Sequence, residues 1–334
     1  MRKVLLTSTA LVALGGVSAA SAIDISGSYM FDYTINDNGT ANTVGNNNTA
    51  MGSDARINFS GSTTSDSGIT FGGNYHLSAT GDVEDQGLYM SGDFGYIMAG
   101  ATDGVVDGMD NFLIGSVTPE VGAGTTNSGT TGTIAAGLNS GAAMTDAATS
   151  EKVGYRSPVI SGFQFGVSHT DAGRTSKANN NQYMVTYDAG FAKFGYGKAD
   201  IEAAAGTQAD TSQTILGFGT TYGDFEFKYS NGSDKTRNAS GTITGDIETS
   251  DVGLYYSGFE NISLYYNGVV SEQKAVTNSG DKLEYNGVGL SYTIADGVSA
   301  LIEQGNSDFT DASDATGGGN DISNYTRLGL SVSF

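Results

Sequence analysis

The stretch Ile23-Asp24-Ile25-Ser26-Gly27-Ser28-Tyr29-Met30-Phe31-Asp32-Tyr33-Thr34-Ile35 decides how the rest of the chain is read. Ile23, Ile25, Tyr29, Phe31, Tyr33 and Ile35 share one parity, and Asp24, Ser26, Ser28, Asp32 and Thr34 share the other. An apolar period of two held over thirteen residues predicts a strand with one apolar and one polar face.

Upstream, Met1-Arg2-Lys3 precedes an apolar run from Val4 to Val17 and the small residues Ala20-Ser21-Ala22. A basic start, a short apolar middle and an A-x-A site predict a secretory signal over residues 1–22, leaving 23–334 as the mature domain. A retained membrane helix would need about 20 apolar residues, more than this run supplies.

Downstream, the period of two returns again and again. Asp54 to Gly61, Ile69 to Leu77, Leu88 to Ser91 and Tyr96 to Gly100 read as strands, as do Glu151 to Arg156 and Phe163 to Ser168. Further strands centre on Tyr183-Val185-Tyr187, Phe191 to Lys198, Phe225-Phe227-Tyr229, Ile262-Leu264-Tyr266, Val288-Leu290-Tyr292 and Val298-Ala300-Ile302. Two more run up to Tyr222 and Tyr256, and Asn324 to Phe334 closes the series at sixteen. Short turns such as Gly92 to Gly95 and Gly223-Asp224 alternate with longer polar loops such as Asn36 to Gly52 and Asn231 to Asp246.

That alternation predicts an all-β, sixteen-stranded antiparallel up-and-down transmembrane barrel. Long loops lie at the extracellular end, and short turns and both chain ends at the periplasmic one. The apolar parity then faces lipid and the polar parity a lumen too wide for side chains to fill. Tyr and Phe near strand ends would form the interfacial girdles in place of Trp. No long apolar run follows the signal, which says nothing against a barrel.

Composition agrees. Fifty Gly with two Pro would suggest low complexity, but 18 Tyr and 15 Phe spaced at intervals of two do not belong to a disordered chain. Cysteine is absent, so disulfides and thiolate metal sites are excluded. Without Arg2 and Lys3 the mature chain holds 13 Lys+Arg against 36 Asp+Glu, a net charge of −23. Such acidity argues against nucleic acid as a partner and favours attraction of cations. Only His76 and His169 exist, neither with a Ser or acid constellation, so catalysis is not expected.

Several segments together resemble the general diffusion porins of the Gram-negative outer membrane, closest to the alphaproteobacterial, Rhodobacter-type trimeric porins. They are Ile25-Ser26-Gly27 through Tyr33, Tyr89-Met90-Ser91-Gly92-Asp93-Phe94-Gly95, and Tyr155-Arg156-Ser157-Pro158 leading into Ser161-Gly162-Phe163. The last is Leu328, Leu330, Val332 and terminal Phe334, which looks like that family's assembly signal. The resemblance implies a homotrimer in outer-membrane lipid and lipopolysaccharide. It also implies a passive water-filled channel for small hydrophilic solutes and ions, without a required cofactor, whose third long loop folds into the lumen. In this chain that loop is the stretch of about 101–150. The family sets loop acids against a basic wall; many relatives place Arg after Gly100, where this chain has Ala101.

The 101–150 stretch has no Lys or Arg but contains Asp103, Asp107, Asp110 and Glu120, the candidate acidic side of a constriction. A solvated surface loop is the plainer reading of the same residues. Asp103, Asp107 and Asp110 also supply oxygen ligands of the kind Ca²⁺ takes, although their spacing matches no defined calcium motif. Parity nominates Arg56, His76, Lys152, Arg156 and Arg327 for the basic wall. Alternatively, each is neutralised by a neighbouring carboxylate, as Glu226 and Lys228 would be. On charge balance the channel is expected to prefer cations mildly. The competing reading is a secreted, acidic, calcium-binding surface-layer or adhesive β protein. A solenoid of that kind should show a fixed repeat, and none is present.

Overall fold

A computed structural model describes residues 23–38, 49–78, 81, 83–112, 150–171, 179–202, 210–275, 279–310 and 321–334. Residues 1–22, read as a signal, lie outside it. Sixteen strands follow one another. They are β1 (Asp24–Asn38), β2 (Thr49–Thr64), β3 (Thr70–Ser78), β4 (Val83–Gly92), β5 (Gly95–Ala101), β6 (Glu151–Arg156), β7 (Phe163–Thr170) and β8 (Asn179–Asp188). Then come β9 (Ala192–Glu202), β10 (Asp210–Tyr222), β11 (Phe225–Arg237), β12 (Ile243–Phe259), β13 (Ile262–Gln273), β14 (Lys282–Ala295), β15 (Val298–Thr310) and β16 (Asp321–Ser333).

Each strand pairs antiparallel with the next, and β1 pairs with β16, setting Phe31 opposite Leu330 and Asp32 opposite Gly329. The sheet is a closed barrel. The seam is finished by Phe334, whose N–H donates to Gly27 O at 3.0 Å while the Gly27 N–H donates to Phe334 O at 2.9 Å.

The parity is inside-out relative to a water-soluble protein. Ile25, Tyr29, Phe31 and Ile35 of β1 are exposed, as are Phe163, Phe165 and Val167 of β7, and Leu88 of β4 is 71% exposed. Buried polar side chains occupy the opposite parity: Ser168 and Thr170 on β7, Gln182 on β8, Ser230 on β11, Asp251 on β12. An apolar outer face over so much of a barrel is stable where lipid, not water, is the surrounding solvent.

Outward rings form a continuous row near the short-turn end: Phe163–Tyr187 (4.4 Å between centroids), Tyr187–Phe194 (6.5 Å), Phe194–Phe218 (5.3 Å) and Phe218–Phe227 (6.1 Å). Phe225, Tyr256 and Phe259 extend it on β11 and β12. It is the girdle of Tyr and Phe expected from the sequence.

The strands are longer than their alternation. The expected loop over 231–246 is mostly strand: β11 continues to Arg237, β12 begins at Ile243, and Asn238 to Thr242 make the turn. β2 likewise starts at Thr49 and β14 at Lys282. The added residues lie at the long-loop end. There both faces meet water, so neither parity is required to be apolar and the period of two disappears.

Among the described residues one connection differs in kind. After β5 the chain forms a 3-10 helix, Val105–Phe112, before the fold resumes at β6. The helix packs against β6 to β11 on their inner face, so the described start of the third long connection, through Phe112, turns into the lumen.

Candidate functional site in the barrel lumen

The helix is seated by its own periodicity. Val105, Val106, Met109 and Phe112 are buried, and Val105, Met109 and Phe112 join Met98, Met184 and Ile215 in one cluster on the inner wall. Burying side chains of this size contributes roughly 1.5–3 kcal/mol each. Spacing of i, i+4 and i+7 from Val105 is a helical signal within the stretch read only as arrhythmic; it was there to be found.

The wall beneath the helix is lined with glycine. A Cβ on Gly195 would stand 2.5 Å from Phe112 Cε2, one on Gly217 2.5 Å from Phe112 Cγ, and one on Gly166 3.0 Å from Val105 Cβ. Polar groups complete the seat. The Val105 N–H donates to Ser168 Oγ at 3.2 Å and the Val106 N–H reaches Gln182 Oε1 at 3.5 Å, so the first amides of the helix are satisfied by the barrel.

Two of the nominated cations belong to this seat. Lys152 Nζ donates to Thr102 O, and Arg156 Nη2 donates to Gly104 O at 3.2 Å and lies 3.6 Å from Asp107 Oδ2. Both stand on β6, under the incoming loop, and not on a wall across the lumen from it. The reason is topological: the loop leaves β5, and β6 is the strand beside it. At 4% exposure Lys152 is an anchor, covered by the chain it holds.

The other candidates separate. Arg327 is buried on β16 and reaches Glu303 Oε2 on β15 at 3.4 Å. Glu303 also accepts hydrogen bonds from the hydroxyls of Tyr265 (2.8 Å), Tyr285 (3.2 Å) and Tyr325. A positive group enclosed in this way does not present a free charge to the lumen. His76 Nδ1 lies 3.3 Å from Asp85 Oδ2 of β4. Only Arg56 combines an inward position with a half-exposed side chain, and it lies 3.5 Å from Asp54 Oδ2. Glu226 and Lys228 compensate each other as expected, at 3.3 Å.

On the acidic side, Asp107 faces Arg156, and Asp103 is half-buried at the start of the connection. The side chain of Asp110 and all of Glu120 lie outside the described residues. Among the described residues no group of three carboxylate or imidazole side chains gathers as a metal site would require. Sequence reading overlooked Asp32, Asp54, Glu303 and the tyrosines of the β13–β16 wall, although their inward parity was readable.

A closed, lipid-facing barrel whose lumen is narrowed by an inward-folded, wall-anchored helix defines an outer-membrane channel protein. A model of the Gram-negative porin family matches residues 7–330, and the chain belongs to that family. No curated protein sequence matches it. Among solved structures it is similar to an anion-selective porin from Comamonas acidovorans, at 14% identity and a TM-score of 0.73, covering 94% of this chain and 100% of that one. It also resembles the trimer form of OmpT, an outer membrane protein of Vibrio cholerae (15% identity, TM-score 0.70, 95% and 100% covered). A mutant porin of Rh. blastica aligns at 15% identity and a TM-score of 0.59, over 94% of this chain and 100% of that one. The sixteen strands and the outer-membrane location expected from the sequence therefore stand; of the loop expected over about 101–150, residues 113–149 lie outside the described residues.

Proposed function

We propose that the protein is a passive, water-filled pore for small hydrophilic solutes and ions, assembled as a homotrimer and mildly selective for cations. No cofactor, energy source or catalytic group enters this reading. The observation that carries the sign of selectivity is the pairing of the inner-wall cations. Arg56, Arg156, Lys228 and Arg327 each lie within 3.3–3.6 Å of a carboxylate oxygen, and Lys152 is covered by the loop it anchors. The positive wall is thus compensated within itself, and the acid excess of the mature chain sets the field in the lumen. The similar Comamonas porin is anion-selective, so the fold by itself does not imply cation preference and the reading rests on the charges of this chain.

In planar bilayers under a KCl gradient the reversal potential should report a cation preference, and a clear preference for chloride would overturn the reading. Asp107→Asn removes a lumen carboxylate and with it the negative charge facing the Arg156 guanidinium, so the preference should weaken. An unchanged reversal potential would make Asp107 a bystander. Trimerisation rests on the resemblance and on the trimeric Vibrio neighbour. Cross-linking of detergent-extracted protein should end at the three-chain species; a ladder stopping at one or two would remove it.

A further inference from the structure

The glycines under the loop helix invite a functional account because their backbone does not call for glycine. Gly195 and Gly217 do not adopt the positive φ found at the turn glycines Gly223 and Gly297. Each sits inside a strand, where glycine is destabilising relative to alanine. What distinguishes them is the space on their inner side. A Cβ on Gly217 would fall 2.5 Å from Phe112 Cγ, the root of the ring, which cannot swing aside without moving the helix backbone. A Cβ on Gly195 would fall 2.5 Å from Phe112 Cε2 and 2.8 Å from Met109 Cε. Since carbon atoms pack best at about 3.5–4.0 Å, either methyl asks the helix to retreat by roughly 1 Å. The barrel wall, closed and hydrogen-bonded, is the stiffer partner, so the retreat is toward the lumen axis.

We infer that Gly195 and Gly217 set the aperture of the pore by fixing how deeply the helix Val105–Phe112 sinks into the wall. They are positioning residues for size selection: neither carries charge, and both act through Met109 and Phe112. The inference rests on the channel reading above and adds to it the determinant of size. The same two strands provide an internal comparison. Gly219, two residues along β10 on the same inward parity, would place its Cβ 4.0 Å from Phe112 Cδ1 and 3.9 Å from Phe227 O. If glycine served only to let the sheet curve, Gly219 and Gly217 would be equivalent.

The experiment is single-channel conductance in planar bilayers for the parent, Gly217→Ala, Gly195→Ala and Gly219→Ala. Heat-modifiable gel migration of each preparation establishes that the barrel is closed. A stepwise loss of conductance in G217A and G195A is expected, together with slower uptake of larger neutral sugars into loaded liposomes. Reversal potential should be unchanged, and G219A should match the parent. Parental conductance in G217A, or an equal loss in G219A, overturns the inference while leaving the channel reading intact. Absence of any parental channel overturns the channel reading itself. Should the alanine variants fail to close, Phe112→Leu decides the matter in the opposite sense: a smaller side chain at the seat should raise conductance, and an unchanged or lower value overturns the inference.

Discussion

Glu303 collects three tyrosine hydroxyls and the Arg327 guanidinium on the inner wall while only 3% exposed. An enclosed charge pair of this kind contributes little compared with apolar residues of equal volume, but losing one partner is severe. Glu303→Gln removes the carboxylate that the Arg327 guanidinium meets, and breaking an enclosed pair from one side costs about 3–5 kcal/mol. The temperature at which the folded band gives way to the unfolded one on a gel should fall sharply. Adding Arg327→Met to Glu303→Gln should recover most of the loss; if it does not, the tyrosine hydrogen bonds and not the ion pair dominate. This cluster shows what residue-level reading can miss. Arg327 was identifiable by parity as an inward cation, but nothing in its neighbourhood along the chain announces that Tyr265, Tyr285 and Glu303 come from three other strands to enclose it.

At the scale of elements, membrane-embedded strands were legible and everything beyond the membrane was less so. Lipid on one face and water on the other impose a period of two, so Phe163-Phe165-Val167 or Val288-Leu290-Tyr292 declare themselves. Past the apolar belt that constraint lapses, and Ser230 to Arg237, polar on both parities, is strand without the mark of one. The seat of the loop helix was hidden for a different reason. Its four buried side chains obey a helical spacing, but their partner is a set of glycines and methionines on distant strands, which no local pattern can reveal. Met109→Asp would test the seat as a unit. Burying a carboxylate at a site 1% exposed and walled by Met98, Met184 and Ile215 is so unfavourable that the helix should leave the wall. The barrel should remain closed and heat-modifiable, while channel current becomes noisier and the 102–112 segment becomes susceptible to protease. A quiet current with that segment still resistant would mean that the polar anchors Lys152 and Arg156 suffice.

For the whole molecule the governing quantities are net charge and closure. Cation preference that arises from a diffuse acid excess is screened by salt, with a Debye length of about 10 Å at 0.1 M and about 3 Å at 1 M. The cation-to-anion permeability ratio should therefore fall as both chambers are made more concentrated at a fixed gradient. A ratio independent of salt would place selectivity in a few close contacts instead. Closure has a consequence of timing. Fifteen of the sixteen pairings join strands adjacent in the chain; β1 with β16 alone joins its two extremes. Until that pairing forms, the sheet is a ribbon with two raw edges, and unpaired amides and carbonyls are tolerated in water but not in hydrocarbon. Zipping the seam and entering the bilayer must therefore coincide, and the last hydrogen bonds between Gly27 and Phe334 mark the moment at which the molecule stops being a passenger of the aqueous phase and becomes part of the membrane.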